Sequence, residues 1–334
     1  MSAADTHATE PVTGGRPLAS PPVPSGPSAR GRGRVRRNRQ SRSLPFLLVA
    51  PALVIMAGVL GYPLVDTVIL SFQDERRGNL WMHTSPPWVG FDQYQSVLGD
   101  SQFWHVVLHT VVFVAGCVAA TMLLGLLVAL LMQRVSNWVR IMMTSVMIVV
   151  WAMPLLVSTS VFKFMFDSDY GLVDQLLTRL PGVDMTGHNW FLNPTTGLFI
   201  IGVLVVWGAI PFIAISLYSA LTQVPKELEE AARIDGARGL GIFRFVTFPV
   251  IKPVFVMTTT LSVIWDFGVL GQILLMRNNI PEQDYQLLGL YSYVQAFTVN
   301  SYSRSAAISI ITVILLSGFS VYYLRQLLKI GEVE

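Results

Sequence analysis

Leu, Val, Ile, Met and Phe run in near-continuous blocks along this chain, separated by short polar stretches, without the period-two alternation of a barrel strand. A bilayer core about 30 Å thick takes about 20 residues of helix to cross. Six blocks reach that length, near 44–72, 106–132, 139–166, 196–221, 252–275 and 306–328. The pattern predicts an all-α integral membrane protein with six transmembrane helices. Its membrane domain covers 44–330, after a tail (1–43) whose Pro, Ser, Gly and Arg cannot bury a core and which is expected to be disordered.

The polar interruption at 224–250, VPKELEEAARIDGARGLGIFRFVTFPV, is the most informative. Pro225 suits a first helical turn, and Glu227, Glu229 and Glu230 put negative charge at a helix N-terminus, where the backbone dipole favours it. Glu229 and Arg233 sit at i,i+4 in the favourable order, and Gly236 is able to take the left-handed conformation that stops a helix. The prediction is a short helix with a small apolar patch around Ala231 and Ala232. On these residues alone it is either a solvated surface helix or one that lies in a partner's groove.

Composition agrees with a membrane protein: 52% of residues are hydrophobic and only 13% charged, against about 25% in soluble domains. Charge then orients the chain. With both termini cytoplasmic, the eight tail arginines, Arg134, Arg140, the basic residues around the polar stretch, Arg325 and Lys329 all lie inside. Only Arg76, Arg77, Lys163, Arg179, Arg277 and Arg304 lie outside, so the positive-inside bias puts 224–250 in the cytoplasm. The basic run at 30–42, next to a span, reads as a topology signal and a contact for anionic lipid rather than for nucleic acid. A cleaved signal peptide is weighed against an uncleaved first span, and the long preceding tail and long apolar stretch favour the span.

Candidate chemistry is sparse. Cys117 is the only cysteine, which excludes an internal disulfide or a thiolate metal site, and His105 and His109 at i,i+4 without an HExxH glutamate are a weak metal signal. We assign no metal site and no catalytic residue. None of the lysines, Lys163, Lys226, Lys252 and Lys329, follows a glycine, so the chain carries no phosphate-binding P-loop. An energy source, if one is used, comes from elsewhere.

Glu230-Ala231-Ala232, then Gly236, then Val246-Thr247-Phe248-Pro249 resembles the EAA loop of bacterial ABC importer permeases. The surrounding Val224-Pro225, Leu228, Asp235-Gly236-Ala237, Phe243 and Pro253 are similar to the carbohydrate-importer, maltose-permease-like branch, as are 88–104, 162–177 and 291–297. The resemblance implies a type I permease fold in a bacterial cell membrane. It also implies a second homologous permease, two cytoplasmic ATPase subunits that bind ATP and Mg, an extracytoplasmic binding protein and a carbohydrate cargo, with no cofactor in this chain. By the same resemblance Glu230, Ala231, Ala232, Asp235, Gly236, Val246 and Pro249 transmit the ATPase's motion. The alternative is a self-sufficient secondary transporter or channel, which needs ionisable relays in several spans.

For the substrate path, Asp266 is the candidate from physics, because an ionisable residue within a span is costly and points to function, with a structural hydrogen bond as the alternative. Gln272 is either path lining or glue between helices. Alignment with the family adds Trp151, Leu155, Val205, Gly208 and Phe212. One departure is Arg277-Asn278-Asn279-Ile280-Pro281 where the family has Thr-x-Gly-Gly-Pro. The turn is expected to persist with altered geometry, and Arg277 either faces solvent or touches a docked protein. The stretch 167–195 is too short for a large inserted outer domain.

Overall fold

A computed structural model describes residues 44–331, and the basic tail lies outside them. The chain divides at Ile55/Met56. The described part of the first unit is most of one apolar helix, α1 (Leu44–Met56). The second unit contains α2 (Tyr62–Leu70), α3 (Arg77–Met82), α4 (Asp92–Leu98), α5 (Ser101–Arg134), α6 (Asn137–Trp151), α7 (Leu155–Met165), α8 (Leu172–Thr178) and α9 (Pro194–Leu221). It continues with α10 (Lys226–Ile234), α11 (Leu240–Ile242), α12 (Phe248–Phe267), α13 (Gly271–Met276), α14 (Leu288–Tyr293) and α15 (Tyr302–Gly331). Five stretches, Val49–Leu70, Ser101–Arg134, Pro194–Leu221, Leu240–Phe267 and Tyr302–Tyr323, are long and apolar enough to cross a bilayer. The pair α6 and α7 supplies a sixth.

Two expected spans are corrected. The third is broken: α6 and α7 meet at 98° across Ala152-Met153-Pro154. Pro154 has no N–H to continue the ladder and disfavours helical backbone at Met153. The restart is stitched locally, with the Thr159 hydroxyl donating to the Leu155 carbonyl at 2.8 Å. The fifth span is displaced toward the N-terminus, running Leu240–Phe267 rather than 252–275. It stops at Gly268, and Gly271–Met276 forms a separate short helix. Apolar sequence continues across that break, which hid it from a reading of hydropathy.

Helices α5 and α9 form the centre of the second unit. Gly202 lies beside Phe113 and Cys117, Gly125 lies beside Ile213 and Ala214, and Gln133 donates to the Leu221 carbonyl. Contacts advance in the same direction on both helices, so they run parallel. A Cβ added at Gly125 would stand 2.7 Å from Ile213 Cγ2, so the lack of a side chain is what lets the two helices touch. Helix caps are local: Asp100 accepts from the Gln102 N–H at the start of α5, and Asn193 accepts from the Thr195 N–H at the start of α9.

The end at which α9 begins is clamped by polar contacts. Arg304 donates to Asp100 Oδ2 at 2.6 Å, Tyr291 donates to the same oxygen at 3.1 Å, and the Leu288 N–H donates to the Thr110 hydroxyl at 2.9 Å. These bonds fasten α14 and α15 to α5. Burial pushes the Tyr291 phenol above its ordinary range. The opposite end of α9 leads, after Thr222-Gln223-Val224-Pro225, into α10.

Candidate functional site

Helix α10 forms over the stretch that its charges predict. Pro225 is its N-cap, Glu227 and Glu229 occupy its first turn, and Arg233 its last. The Glu229–Arg233 pair closes at 3.3 Å, worth only a few tenths of a kcal/mol at an exposed site. After Ile234 the chain turns at Gly236, whose φ is +87°, and the Ala237 N–H returns to the Ala232 carbonyl at 2.9 Å. Nothing lies within 4 Å of a Cβ built at Gly236. Glycine is therefore required there for backbone conformation, not for space.

No residue of α10 is buried. Glu230, Ala231 and Asp235 face outward, Ala232 is half-buried, and in the helical stretch that follows Val246 is half-buried and Pro249 exposed. Around this helix, Ile234 is 87% exposed, Leu240 80% and Phe245 76%. Burying a side chain of this size is worth about 1.5–3 kcal/mol, so Ile234 leaves apolar surface open at the end of α10, whereas Leu240 and Phe245 belong to the apolar stretch Leu240–Phe267. Sequence reasoning did not single out Ile234, Leu240 and Phe245, although Ile234 stands between Arg233 and Asp235. One side-chain link holds the helix to the rest: Thr247 donates to Glu229 Oε1 at 3.4 Å.

The second group of candidates lies where α6 ends. Trp151, its last residue, is stacked with Phe212 of α9 at a centroid distance of 6.3 Å and an interplanar angle of 24°. Phe212 in turn meets Trp265 of α12 edge-on at 5.1 Å. Both tryptophans remain substantially exposed, so three helices present an open aromatic row. Gly208, one turn before Phe212, has nothing within 4 Å of a built Cβ and leaves that side of α9 open. Trp265 was legible only as the neighbour of Asp266.

The remaining path candidates divide. Leu155 opens α7 and approaches Gly271, beside half-buried Gln272 on α13. Val205 is packed into an apolar cluster with Ile201, Leu204 and Ile273, and is not brought to the aromatic row. Asp266 is 3% exposed, in the last turn of α12 rather than mid-helix, and its Oδ2 has no hydrogen-bond partner. In this conformation Trp265 faces the opening and its neighbour Asp266 faces inward.

The departure after the fifth span is resolved in an unexpected way. Asn278 and Asn279 both take positive φ, 55° and 61°, so asparagine performs the turn, and the Asn279 N–H donates to the Leu274 carbonyl at 2.7 Å. Arg277 neither faces solvent nor is free for a docked protein, because its side chain is only 15% exposed. It pairs with Glu282, lies 4.4 Å from the Tyr285 ring centroid, and donates to the Phe191 carbonyl at 3.2 Å. The arginine is thus an internal staple between two loops. Burial raises the Tyr285 phenol above its ordinary range, with the Arg277 charge opposing.

Residues 121–329 match the family described as "Binding-protein-dependent transport system inner membrane component". The chain is 36% identical to the diacetylchitobiose uptake system permease protein DasB of Streptomyces coelicolor, over 93% of this chain and 97% of that one. It is 28% identical to the trehalose/maltose transport system permease protein MalF of Thermococcus litoralis, over 84% and 92% of the two chains. Its fold is similar to that in a crystal structure of a bacterial ABC transporter that imports the acidic polysaccharide alginate. That match has a TM-score of 0.72 and 17% identity, and covers 86% of this chain and 95% of the other.

Proposed function

This chain belongs to the family of binding-protein-dependent transport system inner membrane components, and from that premise we propose that it forms half of a two-permease path for carbohydrate uptake. It is the permease subunit of an ABC importer, and its sequence has no ATPase motif of its own. A homologous permease completes the path, two cytoplasmic ATPase subunits bind ATP and Mg, and an extracytoplasmic binding protein delivers the solute. Both termini and α10 lie on the cytoplasmic side of the cell membrane, as the distribution of Lys and Arg favours.

The observation that carries the reading is α10, which has no buried residue and ends in the exposed Ile234. An exposed helix of this kind is suited to lie in a partner's groove. Here Pro225 and Gly236 terminate it, and Thr247 ties it to the start of the fifth long helix. A di- or oligosaccharide is the proposed cargo, because the names of the relatives point to sugars and the row Trp151, Phe212, Trp265 offers aromatic faces suited to pyranose rings.

The test is reconstitution of the chain with a second permease, the ATPase subunits and a binding protein in proteoliposomes. Uptake of labelled maltose or N,N′-diacetylchitobiose that requires ATP and every component is expected. Uptake by this polypeptide alone, driven by an ion gradient, would overturn the reading in favour of a secondary transporter.

A further inference from the structure

A second polar recess lies away from the aromatic row, at the end of the unit where α9 begins. It is a cleft of about 380 Å³ between the end of α7 with its following loop, the segment before α9 and the turn after α13. That volume falls within the range of about 300–1,000 Å³ typical of small-molecule sites. Its polar lining is built from three separate segments: Lys163 and Asp167, then Asn189, then Asn278. Phe164 and Tyr170 complete it, both more than half exposed, with ring centroids 6.1 Å apart.

The arrangement of donors and acceptors limits the ligand. Lys163 is fixed by a hydrogen bond to Asn278 Oδ1 and has no carboxylate in ion-pair contact among the described residues. Asp167 uses Oδ1 to accept from the Asp169 and Tyr170 N–H groups, at 2.9 and 3.3 Å, which sets the direction of its carboxylate. Arg277, the other cation of the lining, is neutralised by Glu282. Among the described residues, one positive and one negative group of the lining therefore have no ion-pair partner. An anion would meet the Asp167 carboxylate and a cation would meet Lys163, so neither charge is favoured.

A polyhydroxylated ring satisfies this lining, because each hydroxyl both donates and accepts and the ring's C–H face suits an aromatic side chain. We propose that this cleft is a subsite for a neutral glycosyl unit, with Tyr170 as the stacking face and Lys163 and Asp167 as hydroxyl partners. The inference rests on the reading of the chain as a carbohydrate importer and deepens it. The cleft lies on the side from which α9 starts, opposite α10, so it takes the sugar before the aromatic row does.

The test uses the assembled importer in nanodiscs, without binding protein or nucleotide. Saturation-transfer NMR is read with methyl glucoside, maltose and N,N′-diacetylchitobiose as probes. Transfer to ring protons is expected in the wild type and in Tyr170→Phe. It is expected to weaken by about three- to tenfold in apparent affinity in Tyr170→Ala, the loss of one aromatic stacking contact. Lys163→Gln is expected to weaken it as well. Transfer that is absent in the wild type or unchanged in both cleft variants overturns the subsite. Proteoliposome uptake separates this failure from the broader one. Sugar uptake by wild type with unchanged cleft variants overturns the subsite only. Absence of any sugar uptake, with cleft binding intact, overturns the importer reading only.

Discussion

Thr247 donates a hydrogen bond to Glu229 at 3.4 Å, and it is the one side-chain hydrogen bond joining α10 to the rest of the described structure. Thr247 is buried at the foot of the fifth long helix, whereas Glu229 belongs to an exposed helix. The contact is long and partly solvated, so it contributes below about 1 kcal/mol to stability. Its effect falls on alignment. Thr247→Val should leave thermal stability within about 2 °C of wild type and lower sugar uptake per ATP hydrolysed. Equal uptake per ATP in the variant would show that the bond does not orient the helix.

Gly236 is the stricter position. A residue with a Cβ at φ +87° costs roughly 1–2 kcal/mol in backbone strain, enough to tilt or unwind the end of a helix that no core supports. In the assembled importer, Gly236→Asp should permit assembly while reducing sugar-stimulated ATP hydrolysis by about tenfold, the equivalent of about 1.4 kcal/mol. Glu230→Lys should act similarly by placing a cation on the outward face. Purification of an intact complex with undiminished stimulated hydrolysis would remove α10 from the transmission path.

The aromatic row gives a different signature. Trp265→Ala removes an exposed indole that packs edge-on against Phe212, and should raise the half-saturating sugar concentration for uptake by about three- to tenfold. Basal ATP hydrolysis should stay near wild type, since Thr247, which contacts α10, lies just before α12, at the end opposite Trp265. A fall in basal hydrolysis without any change in half-saturation would make Trp265 structural.

Asn279 tests the turn after α13. Asn279→Gly should be neutral or stabilising, because glycine takes φ near 61° at lower cost. Asn279→Val, β-branched at positive φ, should destabilise by about 1–2 kcal/mol. Thermal unfolding of the detergent-solubilised chain reads both. The same melting temperature for glycine and valine would mean that the turn is not held in this conformation.

Several parts of this architecture were legible because they depend on residues close in sequence. Blocks of apolar residues fix the long helices, and Pro225, Glu229, Arg233 and Gly236 fix α10 through caps, charge and φ. Pro154 could have been read as the break in the third helix, but continuous hydropathy on both sides concealed its 98° consequence. The inward turn of Asp266 was not readable, since it depends on the rotation of α12 about its axis, which neighbouring helices set. Arg277 shows the same limit. Its partners Phe191, Glu282 and Tyr285 come from separate loops, and no local rule joins them.

The glycine contacts between α5 and α9 also bear on mechanics. With Ile213 seated at Gly125 and Cys117 beside Gly202, the two helices have no compressible layer between them, so they move as one stiff beam. Helix α10 is joined to that beam by four residues, and α9 alone is about 42 Å long. An angular push at the α10 end is therefore carried along that length past Phe212 to the end where α9 begins, beside the cleft lined by Lys163, Asp167 and Asn278.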